Sequence, residues 1–360
     1  MAHNAMGRLV RCQTPNSLCQ SISFTQKRSW SARTIPSFSP TSSPELNQLL
    51  NRFRDELFIP QSLNANQRKP IYRSSIADKL SGVPVVVPIG ENEEPYQLRP
   101  LGVANLPSQK DMVKTLGLMA EEKNWSNLVI FLTGLSNGNR SPQQKHWEWL
   151  IRRCGANNGL WALYECAVQQ KNTHFSLKDG NLADRLFFEL HMVGQRNEFQ
   201  GESFKKAEDL AQRFALLMEA PEHSSRNAAR DPKKSPLVIG TLLELSAARA
   251  LNKGGIDTGR KVETGCLRLL AALADQEFVI NQTKWVHNDL LLQRLVPAYN
   301  GMQLALKMKD ISKKDPLASE LRESVSKVGS FIKELMAKAP RLGVSPQKPT
   351  IGLQQAKLLL

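Results

Sequence analysis

The chain has 360 residues and a formal net charge of +15, with 22% charged and only 6% aromatic residues. That length holds one large domain or two ordinary ones, and the cationic surplus favours polyanionic or acidic partners without constraining the fold. Cys12, Cys19, Cys154, Cys166 and Cys266 are irregularly spaced with no CxxC pair, which argues against a disulfide framework or a structural zinc site and for a reducing compartment.

Residues 1–44 carry Arg8, Arg11, Lys27, Arg28 and Arg33, thirteen Ser or Thr residues, and no acid before Glu45. An Arg- and Ser-rich, acid-free leader has the composition of a mitochondrial transit peptide. A cationic leader is drawn by a negative-inside membrane potential. Arg28-Ser29-Trp30-Ser31 resembles a matrix-processing site with cleavage near Trp30. The expected location is therefore the mitochondrial matrix, the alternative being a basic tail that binds nucleic acid. Without this segment, residues 45–360 still carry +10, so import does not account for the whole surplus.

The residues at 43–58 predict a short helix capped by Ser43 with Pro44 at its first position and Pro60 as its stop. A polar basic stretch follows, with a second helix expected at 74–80. Residues 83–89 are β-branched, a Gly-Glu-Asn turn follows, and Tyr96 and Leu98 alternate, which predicts a small hairpin whose prolines at 84 and 88 mark an edge strand. From 108 onward the apolar period is helical, with segments expected at 108–122, 125–136, 141–154, 158–171, 179–196, 202–219, 235–252, 260–276, 281–308 and 315–338. Short Asn- and Gly-bearing breaks make neighbours antiparallel. No apolar run reaches membrane-spanning length. The resulting division is a leader at 1–44, a helix plus hairpin at 45–107, a helical array at 108–220, a polar basic loop at 221–235, a C-terminal helical region at 236–339 and an extended tail at 340–360.

Paired helices begin near 108, 141 and 179, at steps of 33 and 38 residues. His146-Trp147-Glu148-Trp149-Leu150-Ile151 followed by Leu160-Trp161-Ala162-Leu163-Tyr164-Glu165 resembles one unit of a pentatricopeptide or tetratricopeptide-like repeat. The next unit would use Leu186, Phe187 and Phe188, then Ala207, Leu210 and Ala211. The resemblance is degenerate, covers about 110 residues and lacks the usual repeat endings. It implies a solenoid binding RNA or protein along one face. The alternative is an irregular helical domain whose period marks only its core.

Catalytic signatures are absent from the sequence. The Gly134–Ser141 stretch lacks the Walker lysine, no GxGxxG or GxSxG occurs, and the six histidines form no HExxH or HxxxH. His191 reads as a half-buried packing residue, and His287-Asn288-Asp289 has no nucleophile beside it. No cofactor is expected. Basic clusters carry the stronger signal: Lys145, Arg152 and Arg153 around two tryptophans, Lys205 and Lys206 at a helix start, and Arg226, Arg230, Lys233 and Lys234 in the long loop. Further clusters lie near Arg249, Lys253, Arg260 and Lys261, and near Lys307, Lys309, Lys313 and Lys314. Each alone reads as solvated surface. Together at helix junctions they would line one basic rim that binds phosphates. Trp147 and Trp149 point about 200° apart around a helix, so one is expected to be exposed for stacking on a base or for a protein contact.

These features predict an all-α chain of antiparallel helical hairpins stacked as a short solenoid, with a small extended or β-hairpin N-terminal region. The expected function is non-catalytic binding of RNA or ribonucleoprotein, such as the mitochondrial ribosome, in organelle gene expression. Other mitochondrial proteins and peripheral membrane contact are compatible partners. An assembly factor or adaptor for an inner-membrane respiratory complex is the alternative.

Overall fold

The computed structural model describes residues 35–73, 80, 85–89, 94–102, 106–225, 231–274 and 276–359. The expected leader up to residue 34, the expected helix at 74–80 apart from Leu80, and both Arg226 and Arg230 lie outside these residues.

The first helix, α1 (Pro44–Phe53), begins as its sequence dictates: Ser43 Oγ accepts the Leu46 N–H at 3.3 Å and Pro44 opens the first turn. Pro60 does not stop it, contrary to expectation. The chain widens into a π turn at Arg54–Phe58 and continues as α2 (Ile59–Ser62). In that turn the Ile59 N–H bonds five residues back to Arg54. This relieves the register in which a proline ring would meet the carbonyl four residues earlier. A helix that the polar composition concealed, α3 (Ala65–Ile71), starts at a reciprocal Asn64–Gln67 capping box.

The hairpin forms as expected. Strands β1 (Val86–Ile89) and β2 (Glu94–Gln97) pair antiparallel, with Val87 opposite Tyr96 and Pro88 opposite Pro95. A lone hairpin is marginal in water. Here Ile89 and Leu98 join Ile59, Leu63, Ile71 and Leu80 in a small core of their own. Residues 35–43, grouped by composition with the leader, also pack on the body. Phe38 lies 6.3 Å from the rings of Phe58 and Phe131, and the Ser39 backbone exchanges two hydrogen bonds with the buried Asn127 side chain.

The rest is helical: α4 (Gln109–Glu121), α5 (Leu128–Asn137), α6 (Gln144–Ala156), α7 (Leu160–Val168), the short α8 (Gln170–Thr173), α9 (Gly180–Arg196), α10 (Gly201–Leu217), α11 (Pro236–Asn252), α12 (Lys261–Ala274), α13 (Trp285–Lys307), the short α14 (Lys309–Ser312), α15 (Leu317–Lys338) and α16 (Ile351–Leu359). The long helices match the expected segments. Asn139, Asn158 and His174 end helical segments in the left-handed conformation, at φ 52°, 58° and 60°. Helices α1, α4, α6, α9, α11 and α13 pack in succession as one layer, and α5, α7 and α10 form a second layer behind it. This is a stacked, repeat-like all-helical arrangement.

Helix α11 joins two cores. Its Leu237, Val238, Leu245 and Ala248 face the first, which extends from α1 through α10. Its Ile239, Leu243 and Ala247 face the second, built with α12, α13, α15 and α16. A helix buried on both sides is apolar nearly all round, as its sequence is. Its buried Glu244 is paired on both sides, meeting His191 Nδ1 at 2.7 Å and accepting from Asn300 Nδ2 at 2.6 Å. His191 is thus fully buried and bonded through Nδ1, not half-buried packing.

The tail also differs from expectation. Residues 340–360 were expected to be extended, but they contain a 3-10 turn at Pro340–Leu342 and helix α16, which packs on α13. The anchor is Asp289, which accepts bonds from the Thr350 hydroxyl and the Leu353 N–H, while Trp285 Nε1 donates to Thr350 at 2.9 Å. These contacts lie 61 to 65 residues apart in the chain, so no local pattern shows them.

Candidate nucleic-acid interface

Helix α6 carries two opposite stripes. Trp147, Leu150, Ile151 and Cys154 are buried in the first core. Lys145, Trp149, Arg152 and Arg153 lie at three- and four-residue steps on the other side, the three cations exposed and Trp149 half-buried. Trp147 is 5% exposed and packs on Phe175 with ring centroids 4.8 Å apart. It therefore cannot stack on a base, and only Trp149 of the pair is accessible. The Trp149 ring edge lies against Gly117 of α4, where a Cβ would stand 3.7 Å from it. The Arg153 guanidinium sits 5.6 Å above the Trp149 ring. Arg152 approaches Glu148 at 3.9 Å, a loose solvated contact.

The other candidates do not join this stripe. Lys205 pairs with Glu202 at 3.5 Å on α10. Lys206 stands exposed on a separate groove between α7 and α10 that also holds Tyr164 and Arg213. Lys233 is held by Glu219 at 2.9 Å, which raises its pKa. Lys234 is exposed beside Asp179, Asp184 and Asp231. The expected continuous basic rim is therefore broken. At the other junctions Arg249 binds Glu208 and Asp209, and both Arg260 and Lys314 hold Glu263, whose carboxyl drops to about 2. Positive charge paired in this way is less available to an external phosphate.

Two features escaped the sequence reading. Trp161 on α7 is 50% exposed and lines the α7–α10 groove. The stripe of Trp161, Glu165 and Val168 opposite the buried Leu160, Leu163 and Ala167 was the available signal. The second feature is a groove of ≈ 620 Å³ between α6, α9 and α13, bounded by Arg152, Phe188, Phe278 and Leu290. Arg185 crosses it, bonded to Glu189 and to Gln293 Oε1 at 3.2 Å, with its guanidinium 5.4 Å above the Phe188 ring. Burial lowers the Arg185 pKa and raises that of Glu189. Burial also raises the Asp184 carboxyl, although it accepts from Ser235 Oγ at 2.6 Å and Arg294 Nε at 3.0 Å. These residues come from five separate stretches, so only folding assembles them.

The His287-Asn288-Asp289 run is used structurally. His287 is exposed, Asn288 Oδ1 accepts the Asn281 N–H at 2.8 Å, and Asp289 anchors the tail. Among the described residues no His, Cys, Asp or Glu cluster could hold a metal ion, and no helix is long and apolar enough to cross a membrane. Burial raises the thiol pKa of Cys154, Cys166 and Cys266, the last to about 12.

Comparison with known proteins supplies what the geometry alone does not. The chain is similar to the small ribosomal subunit protein mS27 of Neurospora crassa, 22% identical over 230 residues that cover 60% of this chain and 58% of that protein. The match spans a little over half the length of that relative. The family model described as mitochondrial ribosomal protein mS27 matches residues 22–358, which takes in the hairpin, both helical layers and most of the terminal helix. The chain belongs to the mitochondrial ribosomal protein mS27 family.

Proposed function

We propose that this chain is a structural, non-catalytic component of the small subunit of the mitochondrial ribosome, working in the matrix in organelle translation. The observation that carries the reading is the family match over residues 22–358. A stacked helical body fits the role, because it presents a long rigid surface made of successive helix faces. Its paired helices read as degenerate repeats of the pentatricopeptide or tetratricopeptide kind, with α6 and α7 as one unit.

RNA contact is proposed for the exposed stripe of α6. Lys145, Arg152 and Arg153 neutralise phosphates there, and Trp149, backed by Gly117 and topped by Arg153, offers the accessible part of its ring to a base. Lys206 and Lys234 would make outlying phosphate contacts on neighbouring surfaces.

The test replaces Arg152 and Arg153 together by Gln and measures binding of the small-subunit ribosomal RNA against salt. Each lost phosphate contact should flatten the log–log salt dependence by about 0.7–0.9, hence about 1.4–1.8 for the pair. An unchanged slope would refute the site. Failure of the wild-type chain to sediment with mitochondrial small subunits would refute the ribosomal reading itself. Salt-insensitive binding to protein alone would favour the adaptor role instead.

A further inference from the structure

The α6–α9–α13 groove differs in character from the α6 stripe beside it. We propose that it docks an extended segment of another protein, one with apolar side chains flanked by Lys or Arg. Three independent observations support this.

First, the groove has an apolar wall set among its polar side chains. Phe188 and Leu237 form part of its lining, and Phe278 and Leu291 line it as well. Val279 and Leu290 are 76% and 50% exposed there, and Val286, one turn before Leu290 on α13, is 68% exposed. Scattered exposed apolar side chains are ordinary, but a contiguous set around a groove marks a contact surface.

Second, the charge has the wrong sign for nucleic acid. The groove continues past Asn181, Asp184, Gln276 and Arg294 into a second hollow of ≈ 470 Å³. Together they are lined by five carboxylates and four Arg or Lys side chains, in a chain whose net charge is +15. Arg185 and Arg294 are engaged with Glu189 and Asp184, while Arg152 at the α6 rim makes only a loose contact with Glu148. Asp179, Asp231 and Glu277 carry no ion pair among the described residues, and with the loosely held Glu148 they make four carboxylates against two cations, Lys234 and Arg152. This field attracts a basic segment and repels phosphates.

Third, the wall of the groove offers bare backbone. Residues 276–280 are neither helix nor strand, and the N–H and C=O groups of Phe278 and Val279 have no hydrogen-bond partner among the described residues. An extended peptide laid along them would supply main-chain partners while its alternate side chains enter the apolar lining.

The test uses the full chain and three fluorescent probes: a short alternating Lys–Leu peptide, its Glu–Leu counterpart and a short oligouridine. The Lys–Leu peptide is expected to bind at least about tenfold more tightly than the Glu–Leu peptide. Val279→Arg with Leu290→Arg should weaken it by about tenfold, while Val168→Arg, at a 49% exposed site on α7, should not. Glu277→Lys, on the exposed wall, is a second variant with the same expectation. Equal binding of the two peptides, indifference to both groove variants, or displacement of the Lys–Leu peptide by oligouridine would overturn the proposal. These readouts do not involve the ribosome, so they stand or fall separately from the functional reading above.

Discussion

The crossing of α11 and α13 offers a sharp test of the packing, through Gly240. A Cβ at this position would lie 2.6 Å from the Ala298 Cα and 2.7 Å from its backbone nitrogen. Carbon contacts are most favourable at about 3.5–4.0 Å, and both obstacles are backbone, which cannot rotate aside. Gly301 faces the same crossing, with its would-be Cβ 3.0 Å from the Gly240 carbonyl oxygen. Gly240→Ala must therefore push the helices apart. Overpacking a core costs about 1–3 kcal/mol, and a backbone obstacle belongs at the upper end. The better helix propensity of Ala returns about 1 kcal/mol, for a net loss of about 1–2 kcal/mol. Gly117→Ala is the matched control. It makes the same change inside α4, but the new Cβ meets the Trp149 ring at 3.7 Å, an ordinary contact, so it should gain about 0.5–1 kcal/mol. Urea unfolding followed by far-ultraviolet circular dichroism should move the two midpoints in opposite directions. A Gly240→Ala protein as stable as the parent, with Gly117→Ala behaving as stated, would refute the close crossing.

Two further tests probe buried polar groups. Glu244→Ala leaves His191 and Asn300 buried without their shared acceptor, so it should cost about 3–5 kcal/mol; Glu244→Gln, which keeps one acceptor oxygen, should cost less, and equal losses would sink the account. His223 accepts the Leu177 N–H at Nδ1 (3.2 Å) and so donates from Nε2 to the Ala167 carbonyl (3.0 Å), and burial holds its pKa below 6.5. A depressed folded pKa means that the unfolded chain takes up the proton first. This contribution is therefore complete above pH 6.5 and is lost as pH falls from there through the folded value. Thermal midpoints of the parent and His223→Asn across this range should converge toward low pH; parallel curves would show that the imidazole has no such role.

Local signals in this chain were strong, and they translated directly into elements. Ser43 caps the first helix as expected, and Ser108 and Asp179, where helical segments are expected to begin, prove to be their caps. The opposed directions of Trp147 and Trp149 follow from helix geometry alone, although the sequence did not say which one the core would take. Local pattern misled where a longer-range contact intervened. Pro60 is tolerated because a π turn precedes it, and the tail is helical because Asp289 and Trp285 capture it.

By itself, the sequence determined the helical class, the antiparallel stacking, the hairpin and the cationic surplus. Period, capping residues and breakers act within a few residues, and net charge is a sum that needs no fold. Only the tertiary structure decided which charges remain available. Arg249, Arg260, Lys314 and Lys233 look like binding residues in the sequence, yet their partners stand 3 to 51 residues away and hold them at the surface. It also decided that a groove with an apolar wall, running on into an acid-rich hollow, would open beside the cationic stripe of α6. That groove gathers side chains from residues 148 to 294, and a one-dimensional pattern carries no record of which distant faces meet.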